Sequence, residues 1–273
     1  MDAPSHLAKL GTLMPFPQTE RFEYSVNPLV RVECTLEFPK NLELEAKLPA
    51  GFQRRVQKDF PEYEEVTPNM ASGTSDVMKQ FLAAMTSAPH LKVQHRFLTA
   101  DGFGSVTLAS TSLAFRSTNY TSWPAFSSQL WAVLDAFQEE YEIPYFKGAK
   151  LRYLNFIPKN GFEPPIQSMT ELINPELSGP LTHDTLGTAI TKYAGELNID
   201  LTCQGNMTLK YGYAGTDTNV FVIDSTCAVG GLNLDRNQVR GLLVDFNKQS
   251  GRLFRWATTD ALREALSNYV EGE

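Results

Sequence analysis

The residues of this sequence that could most readily bind a ligand are basic side chains on extended segments. Lys150 and Arg152 lie in the strand-like segment GAKLRYLNFIP, and Lys210 lies in a second alternating segment. A sheet face carrying such side chains can hold a phosphate or another polyanion, because Arg and Lys donate several hydrogen bonds to anionic oxygens. The alternative interpretation is that these residues form the solvated face of a strand.

Polar residues also interrupt an apolar run in the first of these segments. Arg152 and Asn155 lie among Leu, Tyr and Phe, and polar groups in a central strand need hydrogen-bond partners. Asp224, in the apolar segment VFVID, is a candidate partner for Arg152. Such a pair would either tie two halves of the chain together or form a polar site at their junction. The candidate binding residues are Lys150, Arg152, Asn155, Lys210 and Asp224.

Other chemical arrangements are not indicated. The sequence has no GxSxG motif, its four histidines have no metal-ligand spacing, and its three cysteines are far apart. A Cys–His pair formed in space stays open, although strand-like surroundings favour buried structural thiols. The acidic stretches at 62–65 and 139–140 are interpreted as solvated surface. We therefore predict no catalytic residue, no metal and no cofactor, and the sequence leans toward a protein that is not an enzyme.

Charge and composition limit which kinds of binding partner and which cellular location we expect. The net charge of −7 over 273 residues argues against direct nucleic-acid binding and against binding to anionic membranes. No apolar run approaches the roughly 18 residues of a membrane span, and the first residues lack the pattern of a secretory signal. With few and scattered cysteines, the expected location is cytoplasmic.

Hydrophobic periodicity predicts the elements that must position these residues. The clearest is the alternating segment VRVECTLEF at 30–38, which has one apolar and one polar face. Further strands are predicted at about 91–99, 103–109, 112–117, 147–157, 189–201, 203–213 and 220–224. Helices are predicted at about 52–60, 76–88, 123–142, 236–250 and 259–270, the last with Thr258 or Thr259 as its N-cap.

The order of these elements predicts an α+β fold. We expect antiparallel or mixed sheets with helices packed on one face, and two halves that look related. The expected organisation is an irregular leader at 1–24, an N-terminal α+β half at 25–158, a Pro/Gly-rich connection at 159–186, and a C-terminal α+β half at 187–273 with a terminal helix pair.

Several segments also carry a family resemblance. In order, these are NPLVRVECTLEFP, RFLTADGFGSVTLASTSLAFR followed by the Trp123 helix, GAKLRYLNFI, VFVID, and FRWATTDALREAL. Together, over about 25–267, they resemble an uncharacterised bacterial protein family that is sporadically distributed across species. Its motifs are structural, so no catalytic residue is carried over. The patchy distribution implies mobile genes, often in defence or toxin–antitoxin settings.

The leading hypothesis is a non-enzymatic accessory protein that binds a protein encoded nearby in a bacterial defence or toxin–antitoxin locus. An acidic chain would suit a basic or nucleic-acid-handling protein partner. The alternative is an enzyme or sensor for a phosphorylated small molecule or polyanion. It is favoured if Lys150, Arg152 and Lys210 converge in a deep pocket, and it fails if they splay on an open surface. A second alternative is a chaperone-like holder of client proteins. The oligomeric state stays open.

Overall fold

The computed structural model describes residues 15–16, 27–66, 94–162, 165–201 and 205–268. The helix predicted at about 76–88 lies outside these ranges, as does the predicted leader 1–24 apart from residues 15 and 16. The first residues of the strand predicted at 91–99, together with His6, His90 and Cys203, lie outside them as well. Within the described ranges, no helix is both long and apolar enough to cross a membrane.

In the part of the chain that the structure describes, nine strands form one sheet in which every neighbouring pair is antiparallel. Their bounds are β1 Leu29–Glu37, β2 Glu62–Val66, β3 Gln94–Leu98, β4 Gly104–Ala109, β5 Ser112–Ser117, β6 Phe146–Pro158, β7 Ala194–Leu201, β8 Gly205–Ala214 and β9 Asp217–Leu234. The strand order is β2-β3-β4-β5-β1-β6-β9-β8-β7. The predicted α+β class is confirmed, and the sheet is antiparallel rather than mixed.

Seven α-helices accompany the sheet in the described ranges. Their bounds are α1 Glu43–Ala46, α2 Ala50–Val56, α3 Trp123–Glu140, α4 Pro175–Ser178, α5 Leu186–Ala189, α6 Arg236–Ala257 and α7 Asp260–Asn268. Two 3-10 turns, Met169–Glu171 and Gly179–Thr182, lie with α4 in the Pro/Gly-rich connection. Thr259 caps α7 by accepting a 3.3 Å hydrogen bond from the Leu262 amide, whereas the Thr258 hydroxyl donates back to the Phe254 carbonyl oxygen.

The helices cover one face of the sheet, as predicted. The buried side chains of β1, including Val32 and Cys34, belong to the same apolar cluster as Phe137 of α3 and Phe246 of α6. In α3 the apolar residues recur every three or four positions, so one stripe of the helix faces the sheet. The opposite face of the sheet carries the polar positions of the same strands and a small buried apolar cluster of Leu154, Ala214 and Val222. We call this face the open face.

The two halves of the sheet share a connection pattern. In each half the first strand, β1 or β6, lies at the centre, and the chain then returns to an edge strand, β2 or β7. A meander leads inward until its last strand, β5 or β9, pairs with that first strand, and a long helix follows. The first strands of the two halves, β1 and β6, pair antiparallel at the centre of the sheet. The predicted domain boundaries stay a prediction, since the sheet continues from β1 to β6.

Candidate functional site

A row of polar side chains crosses the centre of the open face. Residues directly opposite in an antiparallel pair project to the same side of a sheet, so the register defines which side chains are neighbours. Arg116 of β5 is opposite Glu33 of β1, and Glu33 is opposite Arg152 of β6. Arg152 is opposite Thr226 of β9, which in turn is opposite Thr208 of β8. The row therefore joins both halves of the sheet.

Arg152 and Asp224 form a two-pronged ion pair between β6 and β9. The Nε of Arg152 donates to Oδ1 of Asp224 at 2.8 Å, and its Nη2 donates to Oδ2 at 2.7 Å. The Asp224 side chain is 4% exposed and that of Arg152 is 21% exposed. Burial, the largest single influence, lowers the pKa of Arg152, but Asp224 together with Glu33 raises that pKa above its usual value. The pairing proposed from the sequence is therefore present.

The same ion pair lines a small pocket. Its cavity has a volume of about 130 Å³ and is lined by Arg152, Thr208, Lys210, Asp224 and Thr226. Lys210 is opposite Asp224 in the register of β8 and β9, and its Nζ lies 3.7 Å from Oε2 of Glu196. The Thr208 hydroxyl donates to Oδ1 of Asn198 at 2.9 Å. The pocket thus combines cationic donors with hydroxyl and carboxylate acceptors.

Beside the pocket, three guanidinium groups surround one carboxylate. We call Arg31, Arg116, Arg152 and Glu33 the arginine cluster. Arg31 and Arg116 are half-buried, yet among the described residues neither side chain makes a hydrogen bond or an ion pair, and the Arg31 Nε is buried without a partner. Burial lowers the pKa of Arg31, and the charges of Arg116 and Arg152 lower it further. Burial also lowers the pKa of Arg116, which Glu33 partly offsets.

The remaining two candidate residues lie elsewhere. Lys150 donates to Oε1 of Glu37 at 2.5 Å and does not line the pocket. Asn155 is on the helix-covered side of β6, where its Nδ2 donates to the Ile223 carbonyl oxygen at 3.3 Å. Convergence of Lys150, Arg152 and Lys210 in a deep pocket would favour the alternative function, and this condition is met only in part: Arg152 and Lys210 share a small pocket while Lys150 lies apart.

Sequence reasoning missed Arg31 and Arg116. The alternation in β1 correctly placed Arg31 and Glu33 on the polar face of a strand. No local signal indicated that β5 and β6 would both be neighbours of β1, which is what brings the three arginines together. The information lies in the long-range pairing of strands, whereas periodicity reports only which way each side chain faces.

Other reactive groups lie away from this site. Within the described ranges no group of three or more His, Cys, Asp or Glu side chains could hold a metal ion. Cys34 and Cys227 are buried on the covered face. Burial raises the pKa of the Cys34 thiol far above its usual value, which disfavours the reactive thiolate.

Comparisons with known proteins add little to this geometry. No family model matches the chain, and no curated protein matches it. Among solved structures, the chain is similar to the duplicated taurocyamine kinase from Schistosoma mansoni with bound transition state analog components, with a TM-score of 0.40 and 9% identity. The match covers 88% of this chain and 35% of the kinase chain. At that TM-score the likeness carries no argument about function.

Proposed function

We propose that this protein binds a phosphorylated small molecule or polyanion on the open face of its sheet, through the arginine cluster. The observation that supports the proposal most is the state of Arg31 and Arg116. Both residues are half-buried, and in the described part of the chain neither side chain has a hydrogen-bond or ion-pair partner. Buried polar groups are nearly always satisfied in folded proteins, so the buried Nε of Arg31, which has no partner and lies near a second unpaired guanidinium group, favours a bound ligand.

The charge balance of the cluster supports the same ligand class. Three guanidinium groups lie near two carboxylates, those of Glu33 and Asp224, which leaves one excess positive charge. Burial is the main cause of the lowered pKa of Arg31, and the like charges of Arg116 and Arg152 lower it further. A phosphate group would neutralise that excess and accept hydrogen bonds in the forked geometry that guanidinium groups offer.

A sensor or a ligand-regulated protein binds its ligand without reacting with it, and for an anion this requires only hydrogen-bond donors in a fixed arrangement. The sheet supplies them from three adjacent strands, and the Arg152–Asp224 pair holds one of the three guanidinium groups in a fixed orientation. Strands of one sheet give a more rigid platform than loops would. Ligand recognition is therefore the function that this geometry supports best.

Calorimetric titration with pyrophosphate tests this proposal. We expect wild-type protein to bind pyrophosphate and Arg116→Gln to bind it about tenfold or more weakly, because a charge-assisted hydrogen bond contributes roughly 1.5–3 kcal/mol. Arg54→Gln is the matched control, since Arg54 is an exposed residue of α2 away from the open face. No binding by the wild type, or equal binding by Arg116→Gln, would contradict the proposal.

A protein partner is a second candidate function, favoured by the charge of the sheet edges. Among the described strands, the two outer ones are acidic: β2 carries Glu62, Glu64 and Glu65, and β7 carries Glu196 and Asp200. An edge strand can accept an extended segment of another chain, and an acidic edge suits a basic segment. We propose that such a partner is encoded nearby in a bacterial defence or toxin–antitoxin locus.

An affinity pull-down from the native host, with neighbouring genes intact, tests the partner proposal. Mass spectrometry should identify a stoichiometric protein with a basic extended segment. Replacing Glu196 and Asp200 with Lys should release it. Recovery of the protein alone would count against this second function.

A further inference from the structure

The hydrogen-bonding groups on the open face differ between the two sides of Arg152. Over β5, β1 and β6 the free groups are the guanidinium donors of Arg31 and Arg116. Over β9 and β8 the pocket adds the Asp224 carboxylate and the hydroxyls of Thr208 and Thr226. Arg152 belongs to both regions, so they form one continuous surface.

The pocket side requires hydrogen-bond donors from its ligand. Asp224 accepts one hydrogen bond on each oxygen from Arg152, which leaves further acceptor capacity on both oxygens. Thr208 already donates its hydroxyl hydrogen to Asn198, so its oxygen is free only to accept. A phosphate placed in this pocket would meet the negative charge of Asp224, whose partner Arg152 is already paired with it, whereas over the cluster it would meet three guanidinium groups against the single carboxylate of Glu33. A hydroxyl-bearing group would instead donate to both acceptors and accept from Lys210.

The dimensions of the surface suit a ligand with two distinct parts. Neighbouring strands lie about 4.8 Å apart, so the row from Arg116 to Thr208, which crosses five strands, extends over roughly 19 Å. The pocket of about 130 Å³ is smaller than the roughly 300–1,000 Å³ of sites that enclose a whole drug-sized ligand. It therefore fits one part of a ligand whose other part lies over the arginines.

We infer that the ligand is a phosphate ester of a polyhydroxylated molecule, of the sugar phosphate class. Its phosphate binds Arg31, Arg116 and Arg152, and its hydroxyl-bearing part enters the pocket formed by Thr208, Lys210, Asp224 and Thr226. This inference rests on the proposed anion-binding function and specifies what the anion is attached to.

Affinity measurements with matched probes test the inference. Wild-type protein is titrated with inorganic phosphate, ribose, and three esters: ribose 5-phosphate, glucose 6-phosphate and glycerol 3-phosphate. We expect at least one ester to bind tenfold or more tightly than inorganic phosphate. Thr208→Val, and Thr226→Val as a second variant, should reduce the ratio of ester to phosphate affinity toward one. Arg116→Gln should weaken ester and phosphate binding alike and leave that ratio unchanged.

The possible failures of the two proposals are distinguishable. Binding of inorganic phosphate with no preference for any ester would overturn the inference and leave anion binding intact. Binding of ribose as tightly as ribose 5-phosphate would overturn the inference as well. No binding of phosphate or of any ester would overturn both. Thermal unfolding of each variant identifies any that has lost its fold, and the valine changes are compatible with strands because Val is a favoured strand residue.

Discussion

The Arg152–Asp224 ion pair is the part of the site that sequence reasoning identified most directly. An arginine in an apolar strand needs a partner, and the acidic residue that ends the apolar segment VFVID supplies it. Desolvating two charges is unfavourable, and their mutual attraction offsets that cost only when the geometry is good. Removing one partner therefore leaves the other charge largely buried and unpaired.

A double-mutant cycle on Arg152→Gln and Asp224→Asn measures this coupling. We expect a coupling free energy of about 1–3 kcal/mol in chemical unfolding, because the pair is two-pronged and mostly shielded from solvent. The exposed pair Lys248–Asp245, at 3.2 Å, is the control, and its coupling should be roughly 0.5 kcal/mol or less. Additive effects of the Arg152 and Asp224 changes would mean that the pair does not hold β6 to β9.

A second buried polar residue, His95, belongs to β3, which pairs with the outer strand β2. His95 is 6% exposed, and its Nδ1 lies 2.9 Å from the hydroxyl oxygen of Tyr63. Glu65 is directly opposite His95 in the strand register. Burial lowers the pKa of His95 below its usual 6.5, and Glu65 only partly offsets this. The folded protein therefore holds this imidazole neutral more strongly than the unfolded chain does.

The sign of the resulting pH dependence follows from this lowered pKa. The free energy of unfolding does not depend on His95 titration above about pH 6.5, where this imidazole is neutral in the folded and the unfolded chain. It decreases as the pH falls from there toward the folded-state pKa of His95, because the unfolded chain binds the proton more readily. Chemical unfolding between pH 7.5 and 5.0 should show this decrease, and His95→Gln should show a smaller one. His183→Gln, which changes an exposed histidine, should behave as the wild type does. An unchanged slope in His95→Gln would contradict the assignment.

At the scale of elements, periodicity identified most strands and the three long helices, because burial on one face imposes a regular pattern. It did not identify β2, whose residues EYEEV are acidic and mostly exposed, as an edge strand allows. It also ended β9 at the apolar residues 220–224, whereas the strand spans Asp217–Leu234. That length is stabilised by pairing with β6 and β8, which local sequence does not encode.

The start of α6 offers a direct test of local sequence signals. The Asp235 side chain accepts hydrogen bonds from the amides of Asn237 and Gln238, and the Gln238 side chain accepts one from the Asp235 amide. Asp235→Ala should lower the free energy of unfolding by about 1 kcal/mol, since it removes this capping box. The exposed change Asp245→Ala in the same helix should alter it by less than about 0.5 kcal/mol. Equal effects would show that the cap does not stabilise α6.

For the whole molecule, the central pairing of β1 with β6 joins two halves of similar connection pattern. The arginine cluster lies at this junction, because it draws residues from β5 and β1 in one half and from β6 in the other. The sequence indicated two related-looking halves, but it could not indicate that they meet through their first strands. That arrangement depends on contacts between residues more than 100 positions apart, such as Glu33 and Arg152.

A continuous sheet predicts that the two halves unfold together. One variant, Trp256→Phe, retains Trp123 and Trp131 of α3 as fluorescence probes, and a second, Trp123→Phe with Trp131→Phe, retains Trp256 of α6. In urea unfolding, the fluorescence transition of each variant should coincide with the circular dichroism transition of the same variant. Fluorescence and circular dichroism transitions that separate in either variant would mean that the halves are independently stable.

The central claim is that the arginine cluster holds an anion, and a crystal soaked in tungstate tests it most directly. Tungstate is a tetrahedral anion like phosphate, and its anomalous scattering locates it without ambiguity. We predict an anomalous peak within hydrogen-bond distance of the Arg31 and Arg116 guanidinium groups in wild-type crystals and none there in Arg116→Gln crystals. Wild-type crystals with no peak at the cluster, or variant crystals with an unchanged peak, would contradict the account.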